Sequence, residues 1–156
     1  MKLRKSVMVS VLVCLFTSLA IAQSKPPGIS VEPYVPRLAD IMDALQARHQ
    51  KLYFAARAQN WELADFELHQ LTAGLTEAAL LYSGIPVTNV TTLEAPLQSL
   101  SNAVKAKDEH KFLGAMGQLT DGCNACHQSM DRKFIVIGLP TGQPFTNQLF
   151  APRGKK

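Results

Sequence analysis

The chain has 156 residues, of which 47% are hydrophobic and 18% are charged. This balance is that of one ordinary soluble domain, and it excludes both a disordered tail protein and a polytopic membrane protein. The formal net charge of +4 falls to +1 if Lys2, Arg4 and Lys5 leave with a signal peptide, so the charge gives no support to nucleic-acid binding.

Residues 1–22 are predicted to be a cleaved secretory signal peptide. A basic start precedes an apolar run over residues 7–16, and Ala20 and Ala22 supply the small residues that a signal peptidase accepts. We expect Gln23 to begin the mature chain, which would be periplasmic and without stable membrane insertion. An uncleaved membrane anchor is the alternative, because the whole apolar stretch approaches the length that crosses a bilayer.

Two helices are predicted after an extended segment over residues 23–35. Pro36 suits a first helical turn, because its missing N–H costs nothing there. This first helix should reach about Ala58, and Asn60 should cap a second helix that ends before Gly84. The predicted buried stripes of these two helices consist of Leu38, Ile41, Met42, Leu45, His49, Leu52, Tyr53, Ala56, Ala64, Leu68, Leu71, Leu75, Ala78 and Tyr82.

Two further helices are predicted after a polar connection over residues 83–92. Thr91 and Glu94 have the spacing of a capping box, although Pro96 is expected to delay the start of the third helix by a few residues. Asp108 should cap the fourth helix. The predicted buried positions of these helices are Leu97, Leu100, Val104, Phe112, Ala115, Met116, Leu119, Cys123 and Cys126.

Residues 135–156 have the composition of an extended tail. Prolines and glycines recur along it and forbid regular structure, whereas Phe145 and Phe150 make it too apolar for a free linker. We therefore expect the tail to lie against the helices. The predicted fold class is all-α: a four-helix up-down-up-down bundle over residues 36–134, followed by this tail.

The pentapeptide Cys123-Asn124-Ala125-Cys126-His127 has the C-x-x-C-H pattern of covalent haem c attachment. Positions i, i+3 and i+4 of a helix share one face, so both thiols and the imidazole point at one ligand. Each thiol can then add across one vinyl group while the imidazole reaches the iron. The remaining cysteine, Cys14, would leave with the signal peptide, so the pattern predicts one covalent haem c.

Two other interpretations of the motif remain. A disulfide between Cys123 and Cys126 would suit an oxidising compartment, but a thioredoxin-like redox pair belongs in a βαβ context that the sequence lacks. A structural zinc site needs a second ligand pair, and His49, His69 and His110 show no paired spacing. Haem attachment is therefore favoured.

With this motif near the end of its last predicted helix, the region over residues 36–134 resembles the class II c-type cytochromes, the family of cytochrome c prime and its low-spin relatives. The resemblance implies thioethers at Cys123 and Cys126, and His127 as the proximal iron ligand. It also implies redox proteins as partners, and leaves a homodimer through the first two helices open. The family usually has a basic residue where this chain has Asp131.

The distal ligand of the iron is predicted from the geometry of the bundle. Antiparallel first and fourth helices bring Met42 to about the level of His127, so Met42 is the favoured ligand. His49 is the runner-up, because it lies roughly 10 Å further along the first helix. An open or leucine-blocked position is the third interpretation. The other side chains that carry a donor atom are Met116, Met130, His69 and His110.

Three functions follow from these alternatives. A six-coordinate haem favours a periplasmic one-electron carrier, whereas an open distal face would favour a gas-binding protein for NO or CO. A haem peroxidase is the least favoured, because the facing stripe of Leu38, Ile41, Leu45 and Leu52 offers no polar group over the iron. We therefore do not expect an enzyme.

Overall fold

A computed structural model describes residues 34–154 of the chain. Two parts of the chain lie outside the described residues. The first contains the predicted signal peptide, the predicted start of the mature chain at Gln23 and the segment up to Pro33, and the second is the final pair Lys155 and Lys156. Among the described residues there is no strand. The helices are α1 (Leu38–Arg57), α2 (Trp61–Leu81), α3 (Val87–Thr91), α4 (Glu94–Ala106) and α5 (Glu109–Ser129).

The four long helices confirm the predicted all-α bundle. Asn60 caps α2 by accepting a hydrogen bond from the Leu63 N–H at 3.2 Å. Asp108 caps α5 in the same way, through the Lys111 N–H at 3.0 Å. Both caps were predicted, because each satisfies an N–H group that the first helical turn leaves without a partner.

The predicted start of the third bundle helix is wrong. Thr91 is the last residue of α3, a short helix that the polar composition of this segment did not indicate. The Thr91 hydroxyl does not cap α4 but donates to the Thr88 carbonyl. Leu93 is the residue before α4, and it provides no side-chain cap. Leu93 is only 3% exposed, so burial of an apolar side chain takes the place of a polar cap here.

Pro96 does not delay α4, which begins at Glu94. The proline occupies the first turn of the helix, where its nitrogen would have had no intrahelical partner. It is also buried, and it therefore contributes to packing at the start of α4.

The core lies between the predicted apolar stripes. The large apolar side chains that are most completely buried in it are Leu52, Leu100, Phe112, Met116 and Leu119. Trp61 closes the core near the start of α2, with its ring centroid 6.4 Å from that of Phe112 in an edge-on arrangement. Met116 is thus core filling, as is usual for a methionine on an apolar stripe.

Two contacts set the register of α1 against α5. Arg57 pairs with Glu109 near one end, and His49 Nε2 lies 2.9 Å from Thr120 Oγ1 in the middle of both helices. Moving forward along one helix therefore means moving backward along the other, and the two are antiparallel. Tyr82 donates its hydroxyl hydrogen to the Pro36 carbonyl at 2.6 Å, so the end of α2 lies beside the start of α1.

The segment after α5 contains no helix or strand up to residue 154. Near its start, Ile137 is hydrogen bonded to Asn124 of α5. Towards its end, the ring of Phe150 packs on Phe54 with centroids 5.8 Å apart, and the Phe150 carbonyl accepts from Asn60 Nδ2 at 3.0 Å. The tail therefore runs along the bundle from the end of α5 to the start of α2.

Candidate haem-binding site

The predicted haem motif forms the last two turns of α5. Cys123 and Cys126 are free cysteines, and both are half-buried together with His127. Because the segment is helical throughout, the two thiols and the imidazole lie on one face of α5. The local geometry that the motif requires is therefore present.

The ring of His127 is held by a backbone carbonyl. Its Nδ1 lies 3.0 Å from the carbonyl oxygen of Ile135. A carbonyl can only accept, so Nδ1 carries the ring hydrogen and donates it. In the neutral ring with this tautomer, the lone pair that can bind a metal ion is on the other nitrogen, Nε2.

A tight turn brings that carbonyl to the imidazole. Asp131 has a left-handed backbone with φ of 56°, and the Arg132 N–H donates to the His127 carbonyl at 2.7 Å. Together with the Asp131 N–H donating to the Gln128 carbonyl, this is the Schellman pattern that ends many helices. Asp131 thus serves the chain reversal after the motif.

The second residue of the motif also binds the tail. Asn124 Nδ2 donates to the Ile137 carbonyl at 2.9 Å, and the Ile137 N–H donates to Asn124 Oδ1 at 2.8 Å. One side-chain amide thus satisfies both backbone groups of one tail residue.

The thiols of the motif are protonated at neutral pH. Burial raises the pKa of Cys123 to about 11, and the neighbouring Cys126 adds to this rise. Burial also raises the pKa of Cys126, although a hydrogen bond with the side chain of Asn89 opposes the rise. Redox-active cysteines have a lowered thiol pKa, so these directions are opposite to those of a thioredoxin-like pair.

Met42 lies at the level of His127 along the bundle. The His49–Thr120 contact fixes the register, and Met42 and His127 each lie seven residues from it in opposite chain directions. Met42 is half-buried and packs against the core, with Leu45 buried one turn further along α1.

His49 lies about two helical turns from this level, roughly 10 Å along α1. Thr120 donates its hydroxyl hydrogen to the Met116 carbonyl, so its oxygen accepts from the Nε2–H of His49. Burial lowers the pKa of His49 to about 4, which keeps the ring neutral. His49 is therefore engaged in a contact between α1 and α5.

The remaining donor side chains are spread over the bundle. His69 is an exposed residue of α2 whose Nδ1 lies 2.8 Å from the Asp65 carbonyl oxygen, and His110 is exposed at the start of α5. Met130 is the residue that follows α5. In the part of the chain that the structure describes, no three His, Cys, Asp or Glu side chains form a group that could hold a metal ion.

Apolar side chains are exposed next to the motif. Phe134 and Val136 are about three-quarters exposed, at 76% and 75%, and Ile135 and Leu139 are also exposed. The Ile135 carbonyl contacts His127 directly, so this apolar segment borders the motif. An apolar ligand at the motif would cover surface that is otherwise left to water.

Neither family models, nor curated proteins, nor solved structures give a match to this chain. Between residues 34 and 154, no helix combines the length and apolar character needed to cross a membrane.

Proposed function

We propose that this protein is an exported monohaem c-type cytochrome that carries single electrons in the periplasm. The observation that supports this most directly is the imidazole of His127, whose Nδ1–H is taken by the Ile135 carbonyl. In the part of the chain that the structure describes, its Nε2 makes no hydrogen bond, and the ring lies on the helix face that also carries Cys123 and Cys126. Metal-binding histidines are usually oriented by such a hydrogen bond, which also raises the basicity of the ligating nitrogen.

The chain's own residues have the chemistry to hold haem c. Cys123 and Cys126 would bind it through thioethers, and His127 would bind its iron through Nε2. When bound, the haem supplies a one-electron iron couple. The apolar segment at Phe134–Val136 and the half-buried Met42 offer surfaces that suit a large apolar ring.

The register favours a six-coordinate site over an open one. Met42 is at the level of His127, and a thioether is a known distal ligand of haem iron in electron carriers. His49 is engaged by Thr120 about two turns away. A five-coordinate, gas-binding protein is the second candidate, because Leu38 and Leu45 flank Met42 and would leave an apolar hollow if Met42 did not bind.

The proposed partners are redox proteins of the periplasm. After removal of the signal peptide the charge is about +1, and two haem propionates would make it about −1, so nucleic acid is not among them. Pairing of two copies through α1 and α2 remains a proposal that rests on the resemblance.

Covalent attachment is tested by mass spectrometry of protein exported together with a haem-attachment system. We expect one haem added to a chain that begins at Gln23. Cys123→Ala and Cys126→Ala should each leave a single thioether, and His127→Ala should disturb iron ligation, whereas His69→Ala, at an exposed site on α2, should change nothing. An unmodified mass, or haem that acidified organic solvent extracts, would refute the proposal.

Absorption spectra with and without carbon monoxide test the distal ligand. We expect wild-type ferric protein to be low-spin, with the weak near-infrared band of thioether-to-iron charge transfer. Met42→Ala should then be high-spin and bind carbon monoxide readily when reduced, because Leu38 and Leu45, which flank position 42 on α1, carry no donor atom.

The matched variant for this test is His49→Gln. It should leave the spectra unchanged, because the His49 ring lies about two turns from the proposed iron. The reverse pattern would show bis-histidine ligation, and wild-type protein that is already high-spin would move the proposal to gas binding.

A further inference from the structure

The turn after α5 and the adjoining tail run beside the motif with one backbone edge facing the helix. In extended chain, residues two apart present their N–H and C=O groups to the same side. Three backbone groups of this segment make hydrogen bonds to α5: the Ile135 carbonyl, the Ile137 N–H and the Ile137 carbonyl. These three groups therefore lie on the same edge. Their partners are two side chains only, those of Asn124 and His127.

Those two side chains match the spacing of the tail. Asn124 and His127 are three residues apart in α5, so they lie on one face of the helix. The amide of Asn124 binds both the N–H and the C=O of Ile137 on this one edge, as a neighbouring strand would. The position of Ile137 in turn restricts where the Ile135 carbonyl can lie, because a single residue separates them.

We propose that Asn124 is a positioning residue for the iron ligand, and that it acts by clamping the tail so that the Ile135 carbonyl stays on His127 Nδ1. This inference rests on the proposed function. The clamp keeps the Nδ1–H donated, which fixes the plane of the imidazole and strengthens Nε2 as an electron donor. A stronger donor stabilises ferric over ferrous iron, so the clamp lowers the midpoint potential.

The alternative is that Asn124 only tethers the tail. The tail has other anchors, since Phe150 packs on Phe54 and its carbonyl accepts from Asn60. Loss of a mere tether would loosen the tail without any change at the iron. The two roles therefore differ in whether the midpoint potential responds.

The test compares Asn124→Ala with Asn60→Asp in the full-length exported holoprotein. Asn124→Ala removes both hydrogen bonds to Ile137 and leaves α5 with a good helix former. Asn60→Asp replaces the donor to the Phe150 carbonyl, at the far end of the tail, with a carboxylate oxygen that cannot donate, and it keeps the oxygen that caps α2. The readouts are the intact mass, hydrogen exchange of the tail and the midpoint potential.

For Asn124→Ala we expect the haem mass to be unchanged, the amides around Ile137 to exchange faster, and the midpoint potential to become more positive. For Asn60→Asp we expect faster exchange near Phe150 and an unchanged potential. Unchanged exchange around Ile137 in Asn124→Ala would overturn the clamp, and faster exchange with an unchanged potential would reduce Asn124 to a tether.

A variant Asn124→Ala that lacks covalent haem would also contradict the inference, which gives Asn124 no part in attachment. If the wild-type protein itself carried no haem, the proposed function would fail instead. Hydrogen exchange around Ile137 would still test the clamp in that case, because it requires no haem.

Discussion

His49 places a titratable ring in the interior of the bundle. It is 4% exposed, and its Nε2 donates to Thr120 Oγ1. Burial lowers the pKa of His49 from 6.5 to about 4, because the charged ring would lose its water. The folded chain thus holds this ring in its neutral form where an unfolded chain would protonate it.

We expect the free energy of unfolding to fall as the pH drops from about 6.5 towards 4. In this range the unfolded chain binds a proton at His49 that the folded chain does not bind, so protonation favours unfolding. A difference of one pKa unit between the folded and unfolded chain corresponds to about 1.4 kcal/mol. The free energy of unfolding should therefore be lower by on the order of 3 kcal/mol at pH 4 than at pH 6.5. Above about pH 6.5 this contribution is fully present.

Denaturant unfolding at a series of pH values checks this expectation. His49→Gln is the matched variant, because glutamine can still donate to Thr120 but does not titrate. Its unfolding free energy should change less over the same range. Identical pH profiles for the two proteins would show that the carboxylates alone cause the dependence.

The relative placement of side chains was predictable only where a local pattern encodes it. The spacing of Cys123, Cys126 and His127 is such a pattern, and the helix that places them on one face follows from local periodicity. The Asn124–Ile137 and His49–Thr120 contacts join residues 13 and 71 positions apart. No short sequence motif predicts contacts between residues so far apart in the chain. The partners of Asn124 and His49 can therefore be identified only in the folded structure.

Close packing of α5 against the start of α4 depends on Gly122. A Cβ atom at this position would lie 2.4 Å from Leu93 Cδ2, and Leu93 is buried. The same burial explains why the capping box at Thr91 and Glu94 does not form. The sequence shows a hydrogen-bonding pattern there, but the apolar contact across the helices decides the conformation.

We expect Gly122→Ala to destabilise the fold by up to about 2 kcal/mol, because overpacking a core costs about 1–3 kcal/mol and the helix preference of alanine over glycine offsets up to about 1 kcal/mol of this. Gly117→Ala is the matched control in the same helix, because a Cβ there meets nothing within 4 Å. It should stabilise the protein by up to about 1 kcal/mol, since alanine favours helix over glycine. Denaturant unfolding of both variants measures the difference, and equal effects would rule out the Leu93 contact as its cause.

The bundle as a whole was predictable from periodicity, whereas its connections were not. Regular stripes and the caps at Asn60 and Asp108 indicate four long helices, because each is a local feature of the chain. The five-residue α3 has no stripe of its own and gave no such signal. The path of the tail depends on Asn60, Asn124 and Phe54, which lie far from it in the sequence.

The side chain of Asn60 serves two distant parts of the molecule at once. Its oxygen begins α2, while its nitrogen holds the tail at Phe150. Aspartate, serine and threonine can each begin a helix, but an ionised aspartate cannot donate, and the shorter hydroxyl side chains do not reach as far. Selection for a helix cap alone would therefore let position 60 drift among these residues. In evolving descendants of this chain, asparagine should persist at position 60 only as long as the tail keeps the Phe150 carbonyl beside it. A lineage that loses the tail should then also accept aspartate, serine or threonine at position 60.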